Sequence, residues 1–306
     1  LVELDASSPT RYYPYPLGLP YLKSYVEKFS RVKLEVRVID CSKRDYPHFL
    51  KLTSPQLVGF SCMIAQYPTV KQLLRYTKEY NKGIVTLVGG YLPTFSYKSI
   101  LQDLRGLLDF CVIGEGEITF LKLLEAFALK KKNFKTISGL AFLRDKIVFT
   151  GKGEEVSNLD SLPFPFRRRH KEDASILISR GCFFSCSFCC VKNFYQHKYR
   201  FRSVRNVVEE LILLQRSGAK RVKIIDDSFI PNMKWFTEFY SQIKKYGLNK
   251  MSYEAQITPL RIKEAPWLLD ALYELNFKII NIGIQSLSLG DLKFFSHSLT
   301  LRDLHK

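Results

Sequence analysis

Apolar and polar positions along the chain fall into short strand-like runs separated by helical ones. Residues 1–6 read as a strand. The Pro-rich stretch 11–20 opens a helix from Leu17 to Phe29. Residues 34–40 alternate apolar and polar, which predicts a second strand. Residues 56–62 form a short apolar run ending in small residues. Thr69 to Tyr80 carries Val70, Leu73, Leu74 and Thr77 at helical spacing, and so predicts a helix with one buried face. Residues 84–90 read as a strand ending in paired glycines, and residues 108–117 as another that feeds a helix through Phe127. Strand and helix in strict alternation argue for a parallel sheet covered on both faces.

The pattern then changes. Residues 139–149 predict a β-hairpin turning at Arg144-Asp145. Residues 158–170, with two prolines and the basic run Arg167-Arg168-Arg169, read as a solvated linker. Beyond it the alternation resumes. Strands are predicted over 174–179, 221–226, 251–257 and 278–286, with helices near 204–216, 233–246 and 265–275. The expected organisation is therefore a doubly wound domain over 1–135, a hairpin and linker over 136–173, and a second β/α domain over 174–306.

Composition narrows the class. A hydrophobic share of 46% supplies packed cores. The longest apolar runs are too short to span a bilayer. The first ten residues show no basic segment followed by an apolar core, so no leader is expected. The net charge is +18, from 47 basic and 29 acidic residues. These charges are spread along the chain, so no specific nucleic-acid surface is expected. Seven cysteines are present, and four of them, Cys182, Cys186, Cys189 and Cys190, lie within nine residues. That density predicts metal chemistry in a reducing, cytoplasmic setting, not a disulfide framework. Cys41, Cys62 and Cys111 stand alone and read as small buried residues.

The cysteine segment, SRGCFFSCSFCC over 179–190, follows an apolar strand. It therefore sits at a C-terminal strand end, where β/α folds build their sites. Three thiolates spaced by four and three residues can converge on one Fe–S cluster from a single loop. A structural zinc site would need a fourth Cys or His at finger spacing. Cys190 is adjacent to Cys189, and His197 lies beyond any finger pattern. Inert cysteines are the remaining alternative.

C-x3-C-x2-C with an aromatic before the last cysteine resembles the signature of the radical S-adenosylmethionine (SAM) superfamily. The surrounding SRGCFFSCSFC and YRFRS are similar to the subgroup with an N-terminal cobalamin-binding domain. The resemblance implies that Cys182, Cys186 and Cys189 ligate a [4Fe–4S] cluster, with Phe188 near the SAM adenine. It implies that the free iron chelates SAM and that reductive cleavage gives methionine and a 5′-deoxyadenosyl radical. Further SAM contacts are implied for Asp226 and Asp227, in a D-D-x-F stretch; for Glu254 and Gln256 on the third strand; and for Gly283, Gln285 and Ser286. The last stretch is similar to the family's G-x-E-S, with Gln285 in place of Glu. Read from the residues alone, Asp226 to Ser228 could equally cap a helix. Arg180, Arg200 and Arg202 are candidates for the SAM carboxylate or the reduced cluster, or for ordinary solvated arginines.

The first domain resembles cobalamin-binding Rossmann-like domains over about 130 residues, through YPYPLGLPYL, GFSCM, VGGYLPT and GEGE. The implied fold is α/β: a flavodoxin-like, B12-binding type domain followed by a partial (β/α) TIM-like radical SAM barrel. The implied cobalamin contacts are Leu17, Gly18, Ser61, Gly89, Gly90, Gly114, Glu115 and Gly116, with the corrin at the interface between the domains. Gly114 and Gly116 would also present free amides at a helix N-terminus. Where many such domains carry D-x-H-x-x-G, this chain has Asp5-Ala6-Ser7-Ser8-Pro9-Thr10. Cobalt ligation by His is therefore not expected.

As the resemblance implies it, the activity is cobalamin-dependent radical SAM methylation of an unactivated carbon on a small-molecule substrate. An electron donor such as flavodoxin or ferredoxin would serve it. The alternatives are SAM cleavage with a vestigial first domain, or a non-catalytic cluster- or corrinoid-binding fragment. The family's barrel has six β/α units and four are counted here, so a C-terminally truncated barrel is the expectation.

Overall fold

A computed structural model describes residues 1–4, 16–41, 44–167, 172–184, 186–284, 286, 288 and 290. These fall into two compact units. One holds the N-terminal strand, Gly18–Val156 and Leu162–Phe166; the other holds Leu17, Ser157–Ser161 and the chain from Arg167 on.

The first unit contains β1 (Val2–Leu4), α1 (Gly18–Phe29), β2 (Ile39–Cys41), α2 (Tyr46–Thr53), β3 (Leu57–Ser61), α3 (Tyr67–Tyr80), β4 (Val85–Gly89), α4 (Tyr91–Asp103), β5 (Phe110–Val112), α5 (Glu117–Ala128), β6 (Leu140–Leu143) and β7 (Ile147–Phe149). Its sheet runs β2-β1-β3-β4-β5-β6-β7. The first five strands are parallel, and β6 and β7 are added antiparallel. One core packs Tyr46 and Leu50 of α2, Leu73 and Leu74 of α3, and Ile100 and Leu101 of α4 against Val58, Phe60 and Val88. The other packs Val26 of α1 and Phe120 and Leu123 of α5 against Leu87, Phe110 and Val112. The sheet is thus covered on both faces. The order 2-1-3-4-5 places its topological switch between β1 and β3, where such sheets bind ligands beyond the carboxyl ends of the strands.

The second unit contains β8 (Asp173–Ile176), β9 (Ser179–Arg180), α6 (Val191–Phe194), β10 (Arg200–Phe201), α7 (Val204–Arg216), β11 (Arg221–Ile224), α8 (Met233–Lys245), β12 (Ser252–Ile257), α9 (Pro259–Glu264), α10 (Leu268–Glu274) and β13 (Phe277–Ile282). Four strands form a parallel sheet in the order β13-β12-β11-β8, and β9 pairs antiparallel with β10. Ser203 caps α7 by accepting from the Asn206 amide, and Asn232 caps α8 by accepting from the Trp235 amide. Val207, Val208, Leu211 and Leu214 of α7 meet Phe236, Phe239 and Ile243 of α8 on one face of the sheet, with Ile176, Val222, Ile224, Tyr253 and Ala255 beneath them. The other face carries a polar row. The pairings Ser175 with Lys223 and Lys223 with Glu254 put these side chains on one side. There Lys223 Nζ lies 2.5 Å from Glu254 Oε1, which also accepts from Asn281 Nδ2 at 3.0 Å.

Two expectations need correction. Residues 34–38 form no strand: β2 begins only at Ile39, and the Val36 carbonyl accepts from Lys23 Nζ at 2.8 Å. Arg167 is not a solvated linker residue: its guanidinium donates to the Ser175 carbonyl at 2.6 Å and pairs with buried Glu210. Arg168 and Arg169 lie outside the described residues. Helix α4 carries only a weak periodic signal. In α4, Pro93 and a kink at Ser96 obscure the pattern.

Among the described residues, no helix is long and apolar enough to cross a membrane.

Candidate functional site

The cysteine loop leaves the sheet through β9 and returns through β10. Arg180 pairs with Arg200 and Ser179 with Phe201, and the Arg202 amide donates to the Ile178 carbonyl at 2.9 Å. Residues 181–199 are therefore closed at a two-stranded neck. Gly181, at φ +90°, lies against the Lys198 carbonyl, where no Cβ fits.

Cys182, Cys186 and Cys189 are half-buried on this loop, and Cys190 is exposed. A turn with the Cys189 amide donating to the Cys186 carbonyl at 3.1 Å brings the last two ligand candidates close. Burial pushes the Cys182 thiol up, and Asp227, Cys189 and Cys186 push it further. The Cys186 thiol is raised by burial and then by Cys189.

Among the described residues, no three Cys, His, Asp or Glu side chains are gathered closely enough to hold a single ion. A cubane takes one thiolate at each of its protein-bound irons, so its cysteines face separate corners. Three soft thiolate donors on one closed loop are the donor set that such a cluster takes. Phe188, 53% exposed, stands between the last two cysteines.

The turn after β11 faces the neck. Asp226 is buried, with Oδ1 accepting from the Ile178 amide at 2.7 Å and Oδ2 from Ser179 Oγ at 2.5 Å. Burial raises its carboxyl to about 7, against the lowering effect of the Ser179 and Ile178 donors. Both oxygens accept from the neck, and the side chain is almost fully enclosed.

Asp227 differs. Burial raises it to about 6, and it has no hydrogen bond or ion pair among the described residues. The turn also holds Ile230, a buried β-branched residue at φ +74°, a strained conformation of the kind that clusters at functional sites. Ser228 Oγ is buried and has no hydrogen-bond partner among the described residues.

The remaining candidates are dispersed. Glu254 lies within the Lys223 and Asn281 contacts described above. Gln256 is exposed one layer nearer the strand ends, and its carbonyl accepts from the Phe229 amide at 2.9 Å. Gly283 and Ser286 follow β13, and Gln285 lies outside the described residues.

Arg202 is no ligand contact. It is 2% exposed, and its guanidinium donates to Leu177 O, to both Asn206 Oδ1 and O, and to Glu210. Two residues escaped sequence reasoning. Tyr199 donates from its hydroxyl to the Ser228 carbonyl at 3.3 Å. Arg261 lies 4.8 Å above the Phe183 ring.

In the first unit, Ser61, Gly89 and Gly90 end β3 and β4, and Gly114 to Gly116 lead into α5. Gly90, at φ +99°, backs onto the main chain of Cys62. Among the described residues, nothing lies within 4 Å of where a Cβ on Gly18 or Gly114 would stand. The Gly114 amide, expected to be free for an anion, instead donates to Thr94 Oγ1 at 2.9 Å, and that hydroxyl donates to Gly90 O. Thr94 thereby ties the two glycine loops together. Leu17 is buried in the second unit. Cys62 and Cys111 are fully buried, and burial pushes both thiols up to about 12.

Gly90→Ala should destabilise the first unit by about 1–3 kcal/mol, since a side chain at positive φ is strained and its Cβ would lie 3.3 Å from Cys62 O. Urea unfolding would measure it.

Residues 8–124 match the family model of the B12 binding domain, and residues 176–289 that of the radical SAM superfamily. The chain belongs to the radical SAM superfamily and carries a B12-binding domain ahead of its radical SAM domain. It is 28% identical to an uncharacterised methyltransferase of Pyrococcus horikoshii over 93% of this chain and 64% of that protein. It is 31% identical to the hopanoid C-3 methylase of Methylococcus capsulatus over 78% of this chain and 47% of that protein. The chain therefore spans about half to two thirds of the length of these relatives. The solved structure of OxsB, a cobalamin-dependent SAM radical enzyme with aqua-cobalamin and SAM bound, superposes with TM-score 0.81 at 20% identity. That likeness covers 99% of this chain and 46% of OxsB, and it confirms the α/β fold of both domains. The cysteine loop lies inside the radical SAM domain, and the glycine strand ends lie inside the B12-binding domain.

Proposed function

We propose that the chain is a cobalamin-dependent radical SAM methyltransferase acting on an unactivated carbon of a small molecule. The observation that carries this reading is the neck-closed loop with Cys182, Cys186 and Cys189 in a radical SAM domain that follows a B12-binding domain. When bound, the cluster and SAM supply a 5′-deoxyadenosyl radical for hydrogen abstraction, and cobalamin supplies a methyl carrier.

The chain's own residues hold and orient these groups. Cys182, Cys186 and Cys189 would hold three irons. Phe188 offers an apolar face for the adenine. Asp227, half-buried and without a hydrogen-bond partner among the described residues, is the acceptor for the SAM ammonium, while Gln256 stands at the strand ends for polar contact. Glu254 serves the polar row with Lys223 and Asn281. In the first domain, Gly18 and Gly114 leave room for the corrin, and Ser61, Gly89, Gly90, Glu115 and Gly116 surround that room. Reduction of the cluster calls for an acidic one-electron donor of the flavodoxin or ferredoxin kind, in a reducing compartment such as the cytoplasm.

The test is anaerobic reconstitution with iron and sulfide, with and without hydroxocobalamin. A retained cluster, retained corrinoid and 5′-deoxyadenosine formed under dithionite are the expected results, and failure to retain any corrinoid overturns the cobalamin-dependent reading. The stretch Asp5–Thr10 carries no imidazole, and His48 lies on α2. The EPR spectrum of bound cob(II)alamin should accordingly lack nitrogen hyperfine splitting from a protein His.

A further inference from the structure

The cysteine loop has two feet, and both stand on the same turn. At the outgoing foot, Asp226 accepts from the Ile178 amide at 2.7 Å and from the Ser179 hydroxyl at 2.5 Å. At the returning foot, the Tyr199 hydroxyl donates to the Ser228 carbonyl at 3.3 Å. Ser179 lies three residues before the first ligand candidate, and between them Gly181 is wedged against Lys198 O. A shift of the Ser179 backbone is therefore passed to Cys182 with little slack. Asp227, next in the chain, is thereby held at a fixed offset from the three thiols.

We infer that Asp226 is a positioning residue: by clasping Ile178 and Ser179 it sets where the three cysteines stand relative to the turn bearing Asp227, without itself touching cluster or SAM. The inference rests on the reading that Cys182, Cys186 and Cys189 hold a cluster. Outer partners of metal ligands act in this way, by orienting what they do not bind.

The side-chain amide introduced by Asp226→Asn would keep the clasp. Its oxygen can accept from the Ile178 amide and its nitrogen can donate to Ser179 Oγ. Asp226→Ala would remove both contacts and leave a buried amide unpaired. A residue that bound the SAM ammonium through its charge would lose function in both variants alike. Asp226→Asn therefore separates positioning from ligand binding.

The experiment compares the full chain with Asp226→Asn, Asp226→Ala and Asp227→Asn after anaerobic reconstitution. Iron and sulfide content, the reduced-cluster EPR spectrum with and without SAM, and SAM affinity would be measured. Asp226→Ala should weaken iron retention about 10-fold and shift the EPR spectrum. Asp226→Asn should match the unsubstituted chain in both. Asp227→Asn should keep the cluster while SAM affinity falls roughly 10-fold.

An Asp226→Ala protein with unchanged iron content and spectrum overturns the inference. So does an Asp226→Asn protein that loses SAM affinity as far as Asp226→Ala does. If Asp226→Ala fails to fold, Ser179→Ala removes only the hydroxyl donor and should shift the spectrum in the same sense, and an unchanged spectrum there overturns the inference. Failure of the unsubstituted chain to assemble a cluster would instead overturn the underlying functional reading, and the inference with it.

Discussion

Alanine at Cys182, Cys186 or Cys189 is expected to remove the cluster outright, whereas Cys190→Ala should retain full iron and sulfide. The cause is the donor set. A cube held by three protein thiolates has no spare, and the loop offers no other soft ligand in place. Cys190 is exposed at the start of α6, next in the chain to Cys189. The loss should be chemical and not a loss of fold. The β9–β10 neck, the Arg202–Glu210 pair and the Asp226 clasp are all built from residues other than the cysteines. The metal-free variants should accordingly unfold within about 0.5 kcal/mol of the unsubstituted chain. Iron and acid-labile sulfide per chain, with calorimetry on the metal-free proteins, checks both halves. A full cluster in Cys186→Ala would sink the ligand assignment.

Local patterns were legible in the sequence where the periodic signal was strong and the partners were near. Helix α3 buries Val70, Leu73, Leu74 and Thr77, the residues its spacing singled out. Helix α7 spans Val204–Arg216, as its pattern predicts. The C-x3-C-x2-C spacing located the loop because its chemistry is local. What could not be read is long-range. Asp226 and Ser179 are 47 residues apart, and no periodicity links them. An aspartate in D-D-x-F reads equally as ligand, cap or clasp until both its oxygens are located.

Arginines mislead for a similar reason. Arg202 and Arg167 look like free cations in a chain of net charge +18, yet both converge on buried Glu210, from α7. A buried carboxylate with two guanidiniums is a satisfied network, and breaking one partner leaves a charge stranded in the core. Gly114 teaches the converse. Glycines at a helix start suggest open amides, but a side chain on a neighbouring helix, Thr94, claims this one.

Gly181→Ala is expected to be the most damaging glycine substitution in the second unit, and a matched control shows why. Gly181 and Gly218 have nearly the same backbone angle, φ +90° and +95°. A Cβ at Gly218 meets nothing within 4 Å, whereas one at Gly181 collides with the Lys198 carbonyl and crowds Tyr195. Gly218→Ala therefore measures positive-φ strain alone, about 1–3 kcal/mol. Gly181→Ala adds a backbone collision that no side-chain rotation relieves. The neck can accept it only by parting Arg180 from Arg200, which opens the loop that carries all three ligand candidates. Each 1.4 kcal/mol beyond the control lowers the closed population about 10-fold. The expected result is a chain that keeps its helices but binds much less iron, with protease cleavage appearing between residues 181 and 199. Circular dichroism, limited proteolysis and iron content of both variants decide it. If Gly181→Ala proves no worse than Gly218→Ala in iron content and cleavage, the closed neck is not what holds the cysteines in place.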